Sequence, residues 1–127
     1  MSSLGSHFFS TRHNPPITSL IAVYTTTDSP ELAERLARDL VQARLAACVH
    51  IESIESVYEW AGKLEHAREW RLMCKTVQGR YADLAAAIAQ RHNYALPALY
   101  ALPITDASPA YQAWVEAQTT PEPLAEA

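Results

Sequence analysis

The chain is short of the residues on which many site chemistries depend. Three glycines in 127 residues leave no Gly-rich dinucleotide turn and no phosphate-cradling P-loop, and no G-x-S-x-G elbow holds a serine nucleophile. Two cysteines, Cys48 and Cys74, are too few and too widely spaced for a disulfide-stapled secreted domain, which favours a reducing compartment. Neither lies in a context that would activate a thiolate: Cys48 follows an alanine-rich helix end and Cys74 precedes Lys75. No run of eighteen apolar residues is available to cross a bilayer. The N-terminal MSSLGSHFFSTRHNPP lacks the apolar centre of a signal peptide. Basic residues are scarce as well, ten Lys and Arg against fourteen Asp and Glu for a formal charge of −4, and no cluster forms that would grip a phosphate backbone. These absences argue against nucleic acid, membrane and the common catalytic frameworks, and they lead to the expectation of a cytoplasmic, non-enzymatic protein.

What is present is enough for one packed domain. Hydrophobic residues make up 49% of the chain, and the length suits a single core. Residues 1–17 read as a polar N-terminal extension, 18–119 as the folded domain and 120–127 as a frayed tail. LIAVY at 20–24 reads as a buried strand. DSPE follows, with Asp28 expected to cap a helix, Pro30 in its first turn and Glu31 at capping-box spacing. Leu32, Ala33, Leu36, Ala37, Leu40 and Val41 recur at helical spacing, carrying that helix to about Ala46. Alternation from Cys48 to Trp60, the turn AGK and a second extended run to Thr76 predict a long antiparallel hairpin. YADLAAAIAQRH predicts a second helix, 99–104 a last strand, and SPAYQAWVEAQ a third helix.

The order β-α-β-β-α-β-α is that of a ferredoxin-like α+β sandwich with an extra C-terminal helix and a long β2–β3 hairpin. Both crossover helices would cover one face of the sheet. The other face, together with a hairpin carrying Tyr58, Trp60, Trp70 and Leu72, would be left exposed and would invite assembly with further copies.

Two constellations are candidates for chemistry. His50, His66, His92, Cys48 and Cys74 are donor types suited to copper or zinc, but none of them pair at CxxC or HxxxH spacing. A hairpin turning near Gly62 could bring His50 and Cys74 together across the ladder. Against this, free cysteine is most often a small core residue. A polar set of Lys63, Glu69, Lys75, His92 and Tyr94 could line a pocket for a small anion or a metal, or could form a salt-bridge lattice on the strands.

The ordered series RLAACVHI, SVYEWAGKLE, EWRLMCKT, HNYALPALYALPI and YQAW resembles the CutA divalent-cation-tolerance family over about residues 19–118. The resemblance implies a ferredoxin-like protomer, similar in shape to PII signalling proteins, assembled as a tight trimer in which hairpin strands pair between subunits. It also implies a role in tolerance of copper and other divalent cations, a cytoplasmic setting for bacterial members, and no established reaction. Tyr58, Trp60, Gly62, Lys63, Glu69, Lys75, His92, Tyr94 and Pro97 match characteristic positions.

The departures are Asn93 for proline, Ala98 for glutamate and Ala61 for an acidic residue, with Tyr24 and Thr25 where some members carry a first-strand cysteine. His92 is then the one retained metal-site position. A lone imidazole makes a poor copper site, so no cofactor is required and Cu(II) binding would be weak. The expected ligand region is an inter-subunit cleft near Lys63, Glu69, Lys75, His92 and Tyr94. The alternatives are a PII-like small-molecule sensor, which normally needs a longer loop than AGK, and a structural partner-binding scaffold.

Overall fold

A computed structural model describes residues 16–121 of the chain. The expected extension and tail therefore lie almost wholly outside the described residues. The elements are β1 (Leu20–Thr27), α1 (Pro30–Gln42), β2 (Cys48–Trp60), β3 (Lys63–Val77), a 3-10 turn (Gln78–Arg80), α2 (Tyr81–Arg91), β4 (Leu99–Pro103) and α3 (Pro109–Thr119). The sheet order β2-β3-β1-β4 is the split βαβ arrangement, with every neighbouring pair antiparallel. Among the described residues no helix is long and apolar enough to cross a membrane.

The helix ends follow from local chemistry, and α1 departs from the sequence reading at both of its ends. Ser29, not Asp28, caps α1, its hydroxyl accepting from the Leu32 amide at 3.1 Å. Pro30 then fills the first helical position, where no amide is needed. The helix also ends at Gln42 rather than near Ala46, because Arg44 takes a left-handed conformation (φ +60°). Arg44 in turn donates to the carbonyls of Ala117 and Thr120, tying this turn to the end of α3. Ser108 caps α3 in the manner of Ser29, accepting from the Tyr111 amide.

The helix-side core joins Leu36 and Leu40 of α1 and Leu84 and Ile88 of α2 to Ile21, Val23, Leu72 and Cys74 of the sheet. Fully burying such a side chain contributes about 1.5–3 kcal/mol. Trp70 packs against this cluster and Leu72 lies within it, which corrects the expectation that both belong to the exposed apolar surface. Alternation explains the difference, since even-numbered residues of β3 face the helices. Among the described residues the opposite face is open except at one end, where Val115 and Tyr111 of α3 cover Leu20, Ala47 and Val77. Tyr24 and Tyr100 stack on it at 5.2 Å, with the Arg71 guanidinium over the Tyr24 ring.

The hairpin extends well beyond the rest of the sheet. Pairing of β1 with β3 stops at Thr27 opposite Trp70, so residues 63–69 of β3 pair with β2 alone. The turn is two residues long, Ala61 (φ +54°) and Gly62 (φ +79°), the double left-handed geometry of a type I′ hairpin. Leu64, Val57, Trp60 and Tyr58 of this overhang are all exposed.

Candidate functional site

The overhang and the loop after α2 enclose a cleft of about 450 Å³, lined chiefly by Tyr58 and Trp60 of β2, Glu69 of β3, and Asn93, Tyr94 and Leu96 of the loop. Three tethers hold the loop in place. α2 stops at Arg91 because His92 adopts extended backbone angles. The His92 ring then donates from Nε2 to the Thr26 carbonyl (2.6 Å) and accepts at Nδ1 from the Tyr94 amide (3.1 Å). Those two partners fix the neutral Nε2–H tautomer. Asn93 donates to both carboxylate oxygens of Asp28 at 3.2 Å. A proline, the residue the resemblance leads one to expect there, could not make that link, so the departure at Asn93 has a structural role.

With the loop fixed, Tyr94 donates its hydroxyl to Glu69 Oε2 at 2.6 Å. Burial, reinforced by the bond to the Glu69 carboxylate, holds the Tyr94 phenol well above its ordinary pKa. Glu69 itself is 7% exposed. Arg71, two residues along and on the same face, turns instead to Glu52 at 2.7 Å. The ion pairs among the described residues join Arg38 to Glu34, His66 to Glu55, Arg71 to Glu52, Arg80 to Asp83 and Arg91 to Asp39, and none includes Glu69. The cleft is thus walled by aromatic rings and carries a carboxylate without a cationic partner among the described residues.

Of the five sequence-predicted residues, Glu69 and Tyr94 meet directly and His92 stands behind Tyr94, with ring centroids 4.8 Å apart. Lys63 and Lys75 are on the same sheet face as Glu69, but each is six residues along the strand, about 20 Å away. Lys63 lies at the hairpin tip opposite Trp60, and the Lys75 ammonium sits over the Tyr111 ring at 5.8 Å. The chain therefore does not bring them to the cleft on its own.

Tyr58 and Trp60, expected from the sequence only as exposed hairpin surface, are walls of the cleft. Taking the turn as the two residues Ala61 and Gly62 would have placed them on the Glu69 face, because Tyr58 then pairs with Glu65 and Trp60 with Lys63.

The metal constellation does not assemble either. His50 pairs with Met73 and Val49 with Cys74, so His50 and Cys74 lie on opposite faces of the ladder. Cys74 is fully buried, and desolvation pushes its thiol up to about 12. Cys48 lies 3.8 Å from the Tyr111 hydroxyl, and burial with that contact raises the Tyr111 pKa. Among the described residues no three His, Cys, Asp or Glu side chains converge to hold an ion. Both nitrogens of His92 are already bonded within the chain. A divalent cation in the cleft would find one carboxylate, Glu69, beside the neutral oxygens of Tyr94, Asn93 and Thr26, a weak donor set for copper or zinc. Ala98, where the resemblance leads one to expect glutamate, lines the cleft without adding a donor.

Four antiparallel strands in this order, two helices on one face and an overhanging hairpin define a ferredoxin-like α+β domain with a ligand-sized cleft at the hairpin's root. The model of the CutA1 divalent ion tolerance protein family matches residues 21–118, and the chain belongs to that family. The chloroplastic protein CutA of Arabidopsis thaliana is 42% identical over 100 residues, 78% of this chain and 55% of that protein. The chain thus spans little more than half of that relative's length. The divalent-cation tolerance protein CutA of Archaeoglobus fulgidus is 35% identical over 94 residues, 74% of this chain and 92% of the relative. The crystal structure of CutA1 from Oryza sativa superposes with a TM-score of 0.78 at 36% identity, covering 81% of this chain and 97% of the other.

Proposed function

We propose that this is a non-enzymatic, trimeric, cytoplasmic protein of the divalent-cation tolerance response, taking a cationic ligand at the Glu69–Tyr94 cleft. The observation that carries this reading is the Glu69 carboxylate, 7% exposed and facing the cleft with Tyr94 as its hydrogen-bond donor and no ion-pair partner among the described residues. A buried carboxylate in this setting is costly unless a positive group joins it. Assembly is supported by the open sheet face, by the unpaired long edge of β2 and by the exposed apolar side chains of the hairpin. The two free cysteines lie on opposite faces of the ladder, which suits a reducing cytoplasm.

Copper binding would be weak, because His92 can reach a metal only by giving up the Tyr94 amide or the Thr26 carbonyl. Calorimetry with Cu(II) tests the site. Weak binding should be reduced in Glu69→Gln and strengthened in Ala98→Glu, which adds a second carboxylate. Tight binding that Glu69→Gln leaves unchanged would place the metal elsewhere.

A small-molecule sensor is the second reading, favoured by the aromatic lining of the cleft. The two-residue turn at Ala61 and Gly62 leaves no ligand loop of the PII kind, so any sensing would have to use the cleft itself.

A further inference from the structure

We infer that the ligand class for which this cleft is built is a small alkylammonium ion rather than a metal ion or an anion. The inference rests on the reading of the Glu69 cleft as the ligand site and adds the chemistry of its occupant. The lining combines one carboxylate with the aromatic side chains of Tyr58, Trp60 and Tyr94, and among the described residues it contains no Lys, Arg or His.

Each ligand class makes different demands on such a lining. An anion would meet Glu69 with nothing to offset the repulsion. A transition-metal ion gains little from aromatic carbon and needs three or four nitrogen, sulfur or oxygen donors. An ammonium group is satisfied by what is present: it can hydrogen-bond to the carboxylate, and its positive charge is attracted to the ring faces of tryptophan and tyrosine. Leu96, Ala95 and Ala98 supply apolar contact for a short alkyl body, and about 450 Å³ is within the range of small-molecule sites.

Ala98 contributes to this preference. A glutamate there would give the cleft two carboxylates and favour a divalent ion. Alanine leaves a single negative charge, matched to a single positive one. The Tyr94 hydroxyl occupies one oxygen of Glu69 at 2.6 Å and leaves the other for the ligand.

The test is Trp fluorescence and calorimetry on the full chain, with n-butylammonium and tetramethylammonium as cations, butan-1-ol as the neutral analogue, and Cu(II) in parallel. Saturable binding of the ammonium ions is expected, at least tenfold tighter than the alcohol, weakened tenfold or more in Glu69→Gln and in Trp60→Leu. Equal binding of alcohol and ammonium would overturn the inference. So would no ammonium binding at 10 mM, the result expected if a lysine from a second copy already fills the cleft. Cu(II) binding that is lost in Glu69→Gln without any ammonium binding would overturn the ligand class and leave the cleft as the site. Indifference of both probes to Glu69→Gln would overturn both readings.

Discussion

Tyr94 and Glu69, 25 positions apart in sequence, are joined by a 2.6 Å hydrogen bond that closes the inner wall of the cleft. The bond offsets part of the cost of a 7% exposed carboxylate by providing it with a donor. Tyr94→Phe removes that donor and leaves the charge in place. Stability to urea should fall by about 1.5–3 kcal/mol, the range for a hydrogen bond to a charged group. Glu69→Gln retains an acceptor for the hydroxyl and should be milder. Equal stability of Tyr94→Phe and the parent would show that water replaces the phenol at no loss.

Alkaline pH should destabilise the fold, and Cys74 should be a principal cause. Its thiol has an ordinary value of 9.0 and is raised to about 12 in the folded chain by desolvation. The unfolded chain releases this proton first, so the contribution to stability is complete below pH 9 and is lost as pH rises towards 12. The loss is at most about 1.4 kcal/mol per pH unit in that window. Tyr94, also raised in the fold, adds to the loss above about pH 10. Denaturant titrations from pH 8 to 11 should show a shallower decline for Cys74→Ala, whose cavity lowers stability at every pH. Parallel slopes would rule Cys74 out as the cause.

The hairpin turn should be improvable. Ala61 holds a left-handed conformation (φ +54°) beside Gly62, a geometry in which an L-residue with a Cβ is disfavoured by roughly 1–2 kcal/mol. Asparagine tolerates it, and Asn-Gly is a preferred pair for this turn. Ala61→Asn should therefore raise stability by about 0.5–1 kcal/mol in urea unfolding. Gly62→Ala should lower it. A destabilised Ala61→Asn would mean that the turn is held by contacts other than its own backbone.

His92 is predicted to matter for folding before it matters for metal. His92→Ala loses the bonds to Thr26 and Tyr94 together and should cost about 1–3 kcal/mol. Its effect on Cu(II) affinity, by calorimetry, should be smaller than that of Glu69→Gln. The reverse order would restore His92 as the principal donor.

How far the sequence could be read depended on the range of the interaction. The extended, partly alternating run CVHIESIESVYEW located β2 at its observed bounds, and the Ser-Pro pairs marked two helix starts. The face on which Trp70 lies was missed because a single step of register reverses a strand's side chains. Glu69, Lys63 and Lys75 share a face as their period-two spacing implies, yet strand rise separates them by about 20 Å. The closure of His92 was hidden for another reason: one of its partners is a backbone carbonyl 66 residues earlier, and residue type carries no trace of such a contact. Asn93, which replaces an expected proline, acquired a role only once Asp28 was found beside it.

The open sheet face, the overhanging hairpin and the free edge of β2 all require a cover, and three copies of the chain are proposed to provide it. Static light scattering of the purified protein at micromolar concentration measures this directly. A single species of three chain masses is predicted, and a stable monomer would contradict the proposed assembly.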